Sequence, residues 1–433
     1  MKFPILFSVL LFLFAFSLFA TVDESAALTV VYFDDDGNLI TDSAAIEERS
    51  KSLPASGSPW WTNRDPADLV PEPLPGGGWS VRLLDVEPGS SEPGFVRTNG
   101  AEKGGPFSTF EIVNTDAPGD GLRDPGPPDP ASTAGGNPGS TLGEQRLNAM
   151  NAAAAVWADV VHSNVTILVQ AAFNPLSCGP MGVTLGSASP ISVVADWLAA
   201  AGGQIPFISN TWYPVALGNA LSNQDLVTNT NDIAANFNSD VDDNPTCAPG
   251  FQWYYGLDNN PPPGTFDFFQ TAIHEICHGL GFATFVDITT GARFSGMNDV
   301  FMNFLRDQDS GENWPAMTNA ARLSSASDTG NLVWTGLSVS GAAGFLTSGL
   351  NSGNVRMYAP ATLNPGSSVS HWDTAAFPNQ LMEPFETGDT PIPGLSVQLF
   401  RDIGWTITTI PPTPVPTLTP HPVTGLAHWE EYE

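Results

Sequence analysis

Cysteine is scarce in this chain of 433 residues: there are three, at positions 178, 247 and 277. That excludes a small disulfide-stapled scaffold and leaves a hydrophobic core to hold the fold. Lysine is absent after Lys103, and 14 basic residues face 45 acidic ones, for a formal charge of -31. Such a surface repels nucleic acid and anionic membranes, so neither is an expected partner. Beyond the N-terminus no run is apolar enough to cross a bilayer, which excludes stable membrane insertion, and no internal repeat is visible. Histidine occurs six times, few enough that each position can be weighed singly.

What is present is ordinary globular material: 42% apolar residues, sufficient for one large domain with flanking segments. Met1 and Lys2 precede an apolar run from Phe3 to Phe19, closed by Ala20 before "TVDES". This reads as a secretory signal peptide over residues 1–20, with a retained anchor as the alternative, and the expected location is extracellular. In an oxidising compartment Cys178 and Cys247, both in loop-like sequence, can pair. Cys277 suits a packed small thiol. The acidic loop "NSDVDDNPTC", with Asp240, Asp242 and Asp243, is a candidate calcium site without an EF-hand's spacing.

Residues 21–104 read as a pro-segment or N-terminal linker. "LTVVYFDDDGNLITD" suggests two short strands around an Asp36-Gly37 turn, and the Pro/Gly/Ser-dense stretch from residue 50 to 104 does not resemble a core-forming domain. Order resumes with a strand in "STFEIVNT", residues 108 to 115, followed by a Gly/Pro loop. Thr141 opens a capping box with Glu144, and the alanine-rich "QRLNAMNAAAAVWADVV" continues as a helix. "VTILVQAAF", residues 165 to 173, reads as a buried strand. Strand, helix, strand sets a sheet against a helix, an α+β arrangement. His162, at that helix end, reads as structural. A helix is expected over residues 266–280 and a last helix or turn in "LSVQLFRDIGW", residues 395 to 405. The main domain is thus bounded at 105–405, and residues 406–433 form a Pro/Thr-rich linker and tail in which His421 and His428 are poor ligand candidates.

The chemistry lies in "FQTAIHEICHGLGFATF", residues 269 to 285. On a helix His274 and His278 are about 40° apart, Glu275 is about 80° from their mean direction, and Ile276 points away into the core. Two histidines at this spacing can hold zinc. A zinc with three protein ligands keeps a fourth position for water, whose pKa falls towards about 7, and a carboxylate beside it can take the proton. A purely structural site has no need of Glu275. Gly281 can end the helix in a left-handed turn and send the chain back past the metal. In the compact extension HExxHxxGxxH a third histidine would follow, but Thr284 stands there. Two candidates remain for the third ligand: His371, in "SVSHWDTAAFPNQLMEP", and Asp299, in "GMNDVFMNFLRD", read as lying on a helix after the motif.

HExxHxxGF followed, after a long interval, by SHW and then LM-x-P resembles the leishmanolysin-like branch of the metzincin metallopeptidases. The resemblance covers about residues 105 to 405. It implies His371 as third zinc ligand, Met382 as the Met-turn residue beneath the metal and residues 282–370 as an insertion; with His371 as the ligand, Asp299 reads as a residue that caps or orients that insertion. It further implies a mixed twisted sheet with long helices, an active-site helix and an irregular C-terminal subdomain. No cysteine precedes Cys178, so latency through a cysteine switch cannot operate from the pro-segment. The function implied is a secreted zinc endopeptidase acting on protein or peptide substrates through Glu275, with a monomer favoured. A non-catalytic extracellular binding protein on the same fold is the alternative, prompted by the acidic surface and the Pro/Thr tail, and an amidase would use the same site.

Overall fold

The computed structural model describes residues 27–32, 69–84, 108–179, 182–385 and 392–407. The expected signal peptide, the Asp36-Gly37 turn, and the tail with His421 and His428 lie outside the described residues. The fold is α+β. Its largest sheet contains β1 (Ala27–Tyr32), β2 (Phe110–Asn114), β3 (Ile167–Asn174), β4 (Gly182–Pro190) and β5 (Ile233–Asn238) in the order β1-β4-β5-β3-β2. The pairs β2/β3 and β3/β5 are parallel, while β4 runs antiparallel to both β5 and β1. Among the described residues the helices of eight or more residues are α1 (Leu142–Ala158), α2 (Val215–Ser222), α3 (Phe268–Leu280) and α4 (Ser396–Ile403).

Parallel neighbours need a crossover, and α1 supplies it between β2 and β3. Thr141 caps α1 by accepting from the Glu144 amide at 3.2 Å. The Glu144 carboxylate, however, returns to the amide and hydroxyl of Ser140, at 2.7 and 2.5 Å, so the reciprocal half of the capping box closes one residue early. The face of α1 formed by Met150, Ala153, Ala154 and Trp157 is buried. These small residues let α1 and α3 approach closely, and the Trp157 indole N–H donates to the Ile273 carbonyl at 2.9 Å. Arg146, on the same helix, is buried with its charge answered from several sides. Its guanidinium donates to Asp242 at 2.9 Å, to the Tyr255 hydroxyl at 2.9 Å and to the Gly121 carbonyl at 3.1 Å, and lies 4.6 Å from the centre of the Phe173 ring. The acidic loop considered for calcium therefore spends Asp242 on an internal arginine.

Residues 69–84 depart from the expectation of a loose segment. Leu69, Leu74, Val81, Leu83 and Leu84 are buried, and Trp79–Arg82 pairs with Ser192–Ala195 in a second sheet. Alternating side chains give such a strand one apolar face even within a Pro/Gly-rich neighbourhood, and that face finds core to cover. Residues 282–370 also carry order of their own, a sheet of Leu305–Asp307, Leu332–Trp334, Asn354–Arg356 and Leu350–Asn351. Cys178 and Cys247 form a disulfide with Cα atoms 5.3 Å apart, while Cys277 is a buried free thiol. Among the described residues no helix is long and apolar enough to cross a membrane.

Two features of α3 and its surroundings are directly testable. A Cβ at Gly279 would collide with the Ile233 side chain of β5. Alanine there gains helix propensity of about 1 kcal/mol but overpacks the helix–sheet contact at about 1–3 kcal/mol. Gly279→Ala should therefore lower stability in urea unfolding with chelator present, and equal or greater stability would refute the close contact. Asp232, buried immediately before β5, accepts from the Leu168 amide at 2.8 Å and the Asn219 amide group at 2.9 Å. Burial pushes its carboxyl up to about 7 from 3.8. The folded pKa being above the unfolded one, its contribution is complete below about pH 4 and is lost as pH rises through about 7. Melting curves from pH 4 to 7 should show a shallower decline for Asp232→Asn than for the parent; parallel declines would count against this assignment.

Candidate metal centre

α3 is capped by Asp267, whose carboxylate accepts from the Gln270 amide at 3.1 Å. It presents His274 and His278 one turn apart, and His371 meets them from the Ser367–Trp372 segment. The three Nε2 atoms converge, at 3.1 Å for His274 and His278, 3.2 Å for His274 and His371, and 3.1 Å for His278 and His371. Each Nδ1 instead faces a backbone carbonyl: Leu381 for His274 at 2.7 Å, Phe282 for His278 at 2.8 Å, and Ser367 for His371 at 2.8 Å. A carbonyl only accepts, so each Nδ1 carries the proton and each Nε2 turns a lone pair towards the common point.

All three rings are buried, His274 at 4% exposure and the other two at 0%. Burial pushes the His274 imidazole down to about 4. Burial, followed by the neighbouring imidazoles, holds His278 well below its ordinary value, and burial with His274 does the same for His371. The rings are therefore neutral near pH 7. Three neutral imidazoles with their lone pairs aimed at one point are close enough to bind one metal ion, and this is the group among the described residues with that property.

The local sequence accounts for this delivery. Gly281 adopts φ 123°, a region that disfavours other residues. The turn closes with Gly281 N–H to the His278 carbonyl at 3.0 Å and Phe282 N–H to the Cys277 carbonyl at 3.1 Å. It thereby swings the Phe282 carbonyl back onto His278. Thr284 follows, where the compact motif would place a ligand. Its amide donates to the Ser370 hydroxyl at 3.2 Å, beside His371, and its hydroxyl to Asp299 at 2.8 Å.

Asp299 is not among the converging groups. Its carboxylate accepts from the amides of Phe285 and Met302, at 2.8 and 2.7 Å, besides the Thr284 hydroxyl. With burial pushing its carboxyl up to about 6, it organises the chain leaving α3. Nor does it lie on a helix: Asn298–Asp299 is a short strand parallel to Thr211–Trp212. Met382 is buried, and its carbonyl accepts from the Trp372 amide at 2.8 Å, one residue beyond the carbonyl that holds His274. Ile276 is fully buried, as its direction on the helix requires. His162 lies far from the group in role: it is exposed, and its amide donates to the Thr406 carbonyl at 2.9 Å.

Glu275 is fully buried on α3. A Cβ at Gly186 of β4 would stand 2.9 Å from its Cγ and Oε1, so β4 passes against the carboxylate with room for glycine alone. Gly186 and the carbonyls of Leu381, Phe282 and Ser367 are contributors that sequence reading missed. A glycine inside a strand does signal a close approach; a carbonyl belongs to every residue and signals nothing.

No protein-family model, curated protein or solved structure matches this chain. The geometry itself is testable by elemental analysis of protein equilibrated with a divalent transition metal. Wild type should hold about one ion per chain, as a three-histidine site does, while His371→Ala should fall far below. Full occupancy in the His371 variant would show that the third ligand is elsewhere.

Proposed function

We propose that the chain is a secreted zinc-dependent endopeptidase of the leishmanolysin-like branch of the metzincins, with His274, His278 and His371 as zinc ligands and Glu275 as general base. The observation that carries this reading is the convergence of three Nε2 atoms beside a buried glutamate on the same helix. Nitrogen ligands about 2.0–2.1 Å from a tetrahedral zinc stand about 3.3 Å apart, and the separations here are 3.1–3.2 Å. The donor set also fits: neutral imidazoles oriented through Nδ1 by carbonyls are what zinc takes in sites that keep an open position. When bound, zinc would supply Lewis acidity towards water and the scissile carbonyl.

The remaining work falls to the chain. Glu275, one residue from a ligand and wedged against Gly186, is positioned to accept a proton from a water in the cleft and return it to the departing amine. Its close packing against β4 orients the carboxylate, and a preorganised geometry costs little reorganisation during the reaction. The Met382 segment supports His274 through the adjacent Leu381 carbonyl, which suits a Met-turn role. Residues 282–370 then stand as an insertion that delays the third ligand. Secretion is supported by the Cys178–Cys247 disulfide, since such bonds persist in oxidising compartments.

Glu275→Gln preserves shape while removing the base. Cleavage of casein should fall by about 10²–10⁴-fold with metal content unchanged. Undiminished cleavage would overturn the peptidase assignment. A wild type that holds zinc but cleaves neither casein nor a proteome-wide peptide library would favour a non-catalytic binding protein instead.

A further inference from the structure

We propose that Val369 is a positioning residue of the metal centre: its strained, buried backbone turn holds His371 in the ligand orientation before an ion arrives. The proposal rests on the zinc centre of the reading above and is independent of the substrate. Among the described residues, every other non-glycine residue at positive φ is Asp, Asn or Ser, short polar types that tolerate that region. None of those is buried. Val369 has φ 73° and 0% exposure. A β-branched side chain is crowded against its own peptide units there, so the conformation persists only where surrounding contacts enforce it. Glycine would adopt it without strain, and the same segment does use glycine at position 366, with φ 79°. Reversing the chain is therefore not reason enough for valine at 369.

The enforcing contacts converge on His371. The Val369 amide donates to the Tyr358 carbonyl at 2.7 Å, and the Tyr358 amide donates to the His371 carbonyl at 2.9 Å. Upstream, the Asn364 carbonyl accepts from the amides of Ser367 and Ser368, at 3.1 and 2.8 Å, and the Asn364 amide donates to the Ser368 hydroxyl at 2.9 Å. Downstream, the Trp372 amide donates to the Met382 carbonyl at 2.8 Å. Val369 lies between these two fixed ends, and its reversal leaves the Ser367 carbonyl to accept from Nδ1 of His371 at 2.8 Å. Rotation of residue 369 out of this conformation would displace that carbonyl and withdraw the isopropyl group from the core. The branched side chain resists both, because it has few torsional wells and loses apolar contact on leaving. Strain at Val369 and aim at His371 are two aspects of one arrangement.

Val369→Thr and Val369→Gly in the full chain separate aim from packing. Threonine keeps the branched shape and lowers stability through its buried hydroxyl, whereas glycine removes both the anchor in the core and the torsional restriction. Zinc affinity by chelator competition, urea midpoints of the metal-free chains, and hydrogen exchange of the amides of Tyr358 and residue 369 are measured on parent and variants. The threonine variant should unfold at lower urea than the parent yet bind zinc within about twofold of it, because the turn keeps its shape. The glycine variant should bind zinc at least about tenfold more weakly, since the ion must then order the backbone itself, and its two amides should exchange faster. Parental affinity in the glycine variant, or equal weakening in both variants, overturns the proposal. Should the glycine chain not fold, Val369→Ala takes its place, and affinity equal to that of the threonine variant refutes the role. Zinc bound in the expected order without casein cleavage would remove the peptidase reading and leave this one standing. If no chain binds zinc, the metallopeptidase reading fails and exchange decides: faster exchange in the glycine variant alone upholds the positioning of His371, and equal exchange in both variants refutes it.

Discussion

Three hydrogen bonds from imidazole Nδ1 to backbone carbonyls are the constraint on which the centre depends. Without them each histidine can rotate about its side-chain torsions and exchange tautomers. With them the Nε2 lone pairs are aimed before any ion arrives. The acceptors come from three separate places: the turn after α3 for His278, the segment before His371 for His371 itself, and Leu381 for His274. The site is thus made of backbone as much as side chain, and the backbone is fixed by packing. Trp157 and Trp405 each donate an indole N–H to a carbonyl of α3, at Ile273 and Leu280, pinning the helix from α1 and from the chain beyond α4. Phe282 and Trp372 pack edge to face with ring centres 5.0 Å apart, joining the turn after α3 to the residue after His371.

Burial sets the chemistry as firmly as geometry does. An imidazole in water is partly protonated near pH 6.5 and then has no lone pair to give. Desolvation here disfavours the cation on all three rings, so the neutral ligand form is the resting one. The same desolvation would be costly for Arg146 were it not surrounded by Asp242, Tyr255 and a carbonyl. An acidic chain thus keeps one of its few cations inside, where a carboxylate that might have faced calcium is held by it.

Much of the centre was legible in the sequence because helical spacing is rigid: HExxH fixes the directions of His274, Glu275, His278 and Ile276 from local geometry alone. The principal helices and strands were legible for the same reason, α1 through its capping residue and periodicity and β3 through its β-branched run. What remained open was the third ligand, since residue type leaves His371 and Asp299 both eligible. Asp299 is excluded by three hydrogen bonds that only the folded chain reveals. The packing of residues 69–84 was hidden by composition, because Pro and Gly mark turns without showing where intervening leucines go. Strand pairing between β1 and β4 joins segments about 150 residues apart, beyond the reach of local pattern.

The sequence separation of 93 between His278 and His371 carries a thermodynamic consequence. A metal ion held by both closes a loop of that length, and closing it is affordable only where the intervening sheet has already drawn the ends together. Ion binding and tertiary structure are therefore one equilibrium: anything that loosens the span from Phe282 to Ser370 weakens the hold on a metal without touching a ligand, and a bound ion would in turn act as a removable cross-link between α3 and the segment that carries His371.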